Sequence, residues 1–69
     1  MKITDDYTDK YINPQFVTHV TKNNVIDISS AAYELNVWLI TGREILFEFD
    51  TEEARQEVYL RIMNALDEL

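Results

Sequence analysis

The chain has no cysteine, one glycine, one proline, one histidine and one tryptophan in 69 residues. Without cysteine, neither disulfides nor thiolate metal sites can staple the fold. A cytosolic location fits this composition. A single glycine excludes the phosphate-cradling loops, which need several. No nucleophile elbow and no paired zinc motif occurs. Positive charge is scarce too: six Lys and Arg stand against thirteen Asp and Glu, a net charge of −7. Such a surface repels phosphate backbones and anionic lipid, so direct nucleic-acid or membrane binding is not expected. No apolar run approaches the length of a membrane span. The acidic residues Asp5, Asp6 and Asp9 near the start do not make a signal peptide.

What remains is enough for a core. The apolar fraction is 46%, with four Tyr and three Phe, which separates the chain from disordered tails. A domain of this length buries only roughly 60% of the surface its unfolded chain exposes, so its stability is marginal and oligomerisation is a common remedy.

The segment from Tyr33 to Asp50 reads as a β-hairpin. Tyr33, Leu35, Val37 and Leu39 alternate with Glu34, Asn36, Trp38 and Ile40, and Ile45, Phe47 and Phe49 alternate with Glu44, Leu46 and Glu48. A period of two is the strand signal. Gly42 sets the register. A three-residue loop, Ile40 to Gly42, places glycine at the left-handed position and opposes Leu35 to Phe47 and Val37 to Ile45. A two-residue loop would oppose Phe47 to Asn36, and a slip of one residue flips every side chain, so the apolar pattern selects the longer loop.

A helix is expected from about 51 to 67. Asp50 or Thr51 is a candidate N-cap, and Asp50 with Glu53 has capping-box spacing. Ala54, Val58, Ile62, Ala65, Leu66 and Leu69 form an apolar stripe at helical spacing. Glu57 and Arg61 have i,i+4 spacing, a pair worth only about 0.3–0.5 kcal/mol. In the front half, short strands are expected near 2–4 and 10–12. A capped turn is expected at Asn13-Pro14-Gln15 and a strand over 16–21. Residues 23–32 stay open between two readings: a strand through Val25, Ile26 and Ile28 after an Asn23-Asn24 turn, or a loop. The fold class is therefore α+β: a small antiparallel sheet of three to five strands, open or partly closed into a barrel, packed by one C-terminal helix.

The stretch Asn13-Pro14-Gln15-Phe16-Val17-Thr18-His19-Val20, the run Val37-Trp38-Leu39-Ile40-Thr41-Gly42-Arg43 and the helix from Thr51 to Leu66 resemble the FlbD-like family of small flagellar proteins and similar short orphan proteins of bacteria and phages. The resemblance implies a small bacterial or phage accessory protein. It supplies no catalytic motif.

Candidate sites are few. His19 lacks a nucleophile or ligand partner at a usable spacing, so it reads as a strand histidine. Asp5, Asp6 and Asp9 lack the pattern of a calcium loop and read as a solvated turn. Asp67 and Glu68 oppose the helix dipole at the end of the helix. No catalytic residue, metal or cofactor is expected. Surplus apolar residues carry more information. Trp38 and Leu46 point away from the face that the helix covers, and Leu60, with Met63 and Tyr59 on its shoulder, points away from the core stripe. These four residues, Leu60, Met63, Tyr59 and Trp38, predict a protein-protein interaction module that binds a partner or itself. The alternative is an acidic decoy that mimics nucleic acid through Glu34, Glu48, Glu52, Glu53 and Glu57. Trp38 has a blander reading, burial under the first half of the chain as a second small core.

Overall fold

The computed structural model describes residues 1–26 and 31–69. Two strands, β1 (Lys2–Thr4) and β2 (Asp9–Tyr11), form a short antiparallel hairpin. A 3-10 turn at Pro14–Phe16 follows, with the Asn13 side chain accepting from the Gln15 N–H at 3.0 Å. Then come β3 (Val17–Ile26), β4 (Ala31–Leu39), β5 (Glu44–Phe49) and the helix α1 (Glu52–Asp67). Strands β3, β4 and β5 make one antiparallel sheet in sequence order. The architecture is α+β, as expected, and the sheet stays open rather than closing into a barrel.

The β4–β5 hairpin has the expected register. Tyr33 opposes Phe49, Leu35 opposes Phe47 and Val37 opposes Ile45. Gly42 sits at φ +86°. The Gly42 N–H donates to Leu39 O at 2.9 Å, and the Leu39 N–H donates to Arg43 O at 2.8 Å. A left-handed backbone there costs an L-residue roughly 1–2 kcal/mol, which is why the chain's one glycine stands at this corner.

Three expectations need correction. Strand β3 does not stop at 21. It runs on to Ile26 without a turn at Asn23-Asn24, and Asn23 and Asn24 pair with Glu34 and Tyr33. Neither of the two readings of 23–32 holds as stated; Ile28 and the rest of 27–30 lie outside the described residues. The helix is capped by Thr51, whose hydroxyl accepts the Ala54 N–H at 3.1 Å, so the Asp50–Glu53 capping box is not used. Arg61 does not pair with Glu57. Its Nη2 donates to Lys2 O at 3.2 Å, tying α1 to β1.

The core is one cluster of Ile3, Ile12, Leu35, Val37, Phe47, Phe49, Val58 and Ile62. Alternation along β4 and β5 puts their apolar side chains on a single face. Helix α1 covers that face with Val58 and Ile62, and the first hairpin adds Ile3. Ala54, Ala65 and Leu66 of the expected helical stripe are half-buried, while Leu69 is exposed.

The two edges of the sheet differ. In β5, the backbone groups of Glu44, Leu46 and Glu48 turn away from β4, because Tyr33, Leu35 and Val37 use the intervening positions. The first hairpin blocks much of that edge. The Asp6 N–H donates to Glu48 O at 3.1 Å, the Glu48 N–H donates to Asp5 Oδ2 at 2.9 Å, and Lys10 Nζ donates to Leu46 O at 2.8 Å. Asp5 thus does more than solvate a turn. Its other oxygen accepts from the N–H groups of Tyr7 and Thr8, at 3.0 and 2.8 Å. Partial burial pushes its carboxyl up. The three backbone donors and the Lys10 charge outweigh that and hold it below the ordinary value.

Asp6 behaves in the opposite way. Some desolvation, and a carboxyl of Asp50 close enough to share a hydrogen bond, push the Asp6 carboxyl above the ordinary 3.8. The folded state therefore holds this proton better than the unfolded chain does, and stability is lost as pH rises through the raised folded value. Asp6→Asn is expected to raise the thermal midpoint at neutral pH. The advantage should shrink toward zero below the ordinary carboxylate value, at about pH 3. Midpoints of wild type and variant measured across that range test this, and a gain independent of pH would contradict it.

Candidate protein-interaction surface

Helix α1 presents its flanks to different neighbours. Arg61 lies on the flank toward β1. Gln56 and Tyr59 lie on the flank toward β3: Lys22 Nζ is 4.2 Å from the centre of the Tyr59 ring and 3.4 Å from Gln56 Oε1. Helical spacing puts Met63 on the same flank as Tyr59, and Leu60 one turn beyond Gln56 toward solvent. Tyr59 and Met63 are half-buried against the core, and Leu60 is 49% exposed. Tyr59 and Met63 thus flank β3, whereas Leu60 faces solvent beside Glu52, Glu53, Gln56 and Glu57. Trp38 does not join them. It lies on the far face of the sheet, half-buried, with its ring stacked on His19 at 5.4 Å between centroids and 8° between planes. Its indole N–H donates to Thr21 Oγ1 at 3.4 Å. A second core over Trp38 is not formed by the described residues; a neighbouring imidazole shields one face of the ring instead. His19 is an exposed strand residue, as expected, with Nδ1 at 3.0 Å from Thr18 Oγ1.

The acidic residues divide between two sides. Glu34 and Glu48 oppose one another across β4 and β5 on the face away from the helix. Asn23 Nδ2 donates to Glu34 at 3.2 Å. Glu52, Glu53 and Glu57 are exposed on α1, on the other side of the sheet. Glu52 is partnered at 3.8 Å by Arg55.

Two features of this surface escaped sequence reasoning. One is Arg55, buried to 5% exposure. Its Nη1 donates to Asn24 Oδ1 at 2.6 Å and to Asn23 O at 3.2 Å, with Glu34 O at 3.5 Å. Its guanidinium carbon is 5.3 Å from the centre of the Tyr33 ring. The side chain clamps the start of α1 to the outer half of the β3–β4 hairpin. The available signal was spacing: Arg55 precedes Val58 and Ile62 by three and seven residues, on the same stripe.

The other feature is the free edge of β3. Strand β4 turns Glu34, Asn36 and Trp38 toward β3, so Asn23, Thr21 and His19 bond inward. Val20, Lys22, Asn24 and Ile26 then direct their N–H and C=O groups outward. Among the described residues, no backbone group pairs with them. The edge is ten residues long, without proline or glycine, and its one irregularity falls between Val17 and His19.

A groove of about 650 Å3 lies on the opposite side, beside the first hairpin, lined by Tyr7, Lys10, Tyr11, Arg43 and Leu46 among others. Asp5, Glu44 and Glu48 also line it, so charges of both signs face it and select no ligand class. Among the described residues, no group of three or more histidines and carboxylates is placed to hold a metal ion. Among the described residues, no helix is long and apolar enough to cross a membrane. No family model, no curated protein and no solved structure matches the chain.

Proposed function

We propose that this chain is a small acidic protein-protein interaction module with a binding role and no catalysis. On the family resemblance, it serves as a regulatory or accessory protein of a bacterium or phage. The observation that carries this reading is the free edge of β3 running beside Tyr59 and Met63, with Leu60 exposed farther out on the same helix. Extended backbone with unpaired donors and acceptors recruits another strand, and apolar side chains next to it add affinity. In this reading Leu60 is the contact residue, Met63 and Tyr59 shape the surface around it, and Trp38 belongs to a separate face.

Leu60→Lys tests it. The substitution is at a half-exposed position outside the core cluster, so the fold should survive. An interface residue of this kind is expected to lose more than about 1 kcal/mol, roughly fivefold or more in affinity. Capture of the partner from cell lysate at low and high salt, with wild type beside the variant, gives the readout. Binding that is unchanged by the substitution would remove the apolar shoulder from the interface.

The acidic decoy has one observation in its favour. Glu34 and Glu48 are directly opposite, which stores repulsion that a cationic partner would relieve. Against it, Glu52, Glu53 and Glu57 lie on the other side of the sheet, so the five carboxylates do not make one phosphate-like track. A partner lost at high salt but retained by Leu60→Lys would favour the decoy.

A further inference from the structure

We infer that the occupant of the β3 edge is a second copy of this chain, paired antiparallel through β3 about a two-fold axis at Asn23. The inference rests on the interaction-module reading and names its partner. Three observations lead to it.

The first is charge. Thirteen of the 69 residues are acidic, yet the ten residues of β3 include none. Two copies at −7 each repel one another over most of their surfaces, and this strip is where they can meet without opposing carboxylates. Glu52, beside the strip, is paired with Arg55. A cationic partner would be drawn to the Glu-rich faces instead.

The second is the register that self-pairing permits. Outward backbone groups belong to Val20, Lys22, Asn24 and Ile26, so these must pair among themselves. Opposing Lys22 to Lys22 sets like charges face to face. Opposing Asn24 to Asn24 leaves Val20 without a partner among the four. Opposing Lys22 to Asn24 and Val20 to Ile26 uses all four, stops short of the irregularity at Val17–His19, and brings the 78% exposed Ile26 onto Val20. Each such pair exchanges two hydrogen bonds, so four pairs supply about eight. Lys22 does not block the edge, because its ammonium lies over Tyr59 of its own helix.

The third is size. The seven overlapping residues, Val20 to Ile26, span about 24 Å, and with the helix layer above them the strip is about 20 Å deep. That is on the order of 500 Å2 per copy, the size of a weak, concentration-dependent interface. The product is one six-stranded sheet with both helices on the same side and the Tyr59 flanks turned toward the axis. A closed two-fold pair also removes an edge that would otherwise invite open-ended assembly.

Cysteine placement tests the register, since the chain has no cysteine of its own. In the inferred pair Asn23 faces its own copy at a non-hydrogen-bonded position, about 4.5 Å between α-carbons, within disulfide reach. Thr21 faces Val25 of the other copy and lies about 14 Å from its own counterpart. Under mild oxidation, Asn23→Cys should form a covalent dimer and Thr21→Cys alone should not. Thr21→Cys mixed with Val25→Cys should form the mixed dimer. The mass of the wild-type chain should double across a micromolar-to-millimolar concentration series, with circular dichroism confirming that each variant is folded. A wild-type chain that stays monomeric throughout overturns the inference, as does cross-linking of Thr21→Cys as fast as Asn23→Cys. A monomer that still captures a different protein in a Leu60-dependent way overturns the second copy while leaving the interaction module intact. A monomer that captures nothing overturns both.

Discussion

Arg55→Ala should be among the most destabilising substitutions at any charged position of this chain, at about 3 kcal/mol. Arg55 is 5% exposed at the foot of α1; its Nη1 donates to Asn24 Oδ1, Asn23 O and Glu34 O, while its buried Nε has no partner among the described residues. Removing the guanidinium leaves Asn24 Oδ1 without that donor and takes a second donor from the Asn23 and Glu34 carbonyls, which keep their ladder bonds; a buried group left unpaired costs roughly 1–3 kcal/mol. The aliphatic stem also leaves a gap beside Tyr33. Arg55→Met keeps the stem and removes the charge, so it should recover part of the loss; buried charges are often replaced by apolar groups at little net cost. Arg55→Lys keeps the charge without the fork and cannot reach all three acceptors. Urea unfolding gives the stabilities. Hydrogen exchange localises the effect, which should be largest at the amides of 23–26 and 31–34, where the clamp holds the outer half of the hairpin. A loss within about 0.5 kcal/mol would mean that water takes over the guanidinium's bonds at the hairpin end. The same variants bear on the second copy, because the clamp holds β3 straight where its edge is free.

Phe47→Ala is the larger loss, at about 3–5 kcal/mol. Phe47 is fully buried, opposite Leu35 in the ladder, in one cluster with Ile3 and Ile62. The Lys10 ammonium sits 5.0 Å from the centre of its ring and from there reaches Leu46 O. The ring therefore also positions the residue that closes part of the β5 edge. Small domains lie toward the low end of the ~5–15 kcal/mol stability range, so this one substitution should populate the unfolded chain at room temperature. Phe47→Leu retains most of the volume and should cost less than about 1.5 kcal/mol. Far-ultraviolet circular dichroism with a urea titration distinguishes the two. A folded Phe47→Ala chain with a near-native midpoint would show that the first hairpin collapses into the space.

These two residues also mark what could be read in advance. The β4–β5 hairpin was legible down to its register because every determinant is local. Alternation assigns the faces, Gly42 supplies the one left-handed backbone position, and a slip of one residue exposes the whole apolar set. The helix was legible for the same reason, with its apolar stripe at a spacing of three and four. Its cap was left open between Asp50 and Thr51, since both are good caps and only the backbone path out of β5 chooses Thr51.

What depended on tertiary structure joins residues far apart in the chain. Asp5 reaches Glu48 across 43 positions and Arg55 reaches Asn24 across 31. Helical spacing puts Arg55 on the core stripe but does not name its partner, and no periodicity announces the Asp5 bond. Strand β3 shows the same division. Lys22, Asn23 and Asn24 have weak strand preference, and a sequence window places a turn there. Pairing with β4, which sets Leu35, Glu34 and Tyr33 opposite Lys22, Asn23 and Asn24, overrides that preference and carries the strand on to Ile26. By itself the sequence determined the fold class, the hairpin register and the helix, because periodic burial is written locally. The tertiary structure alone decided which edge is covered, which arginine is buried and which edge is left open, because those depend on where distant segments meet.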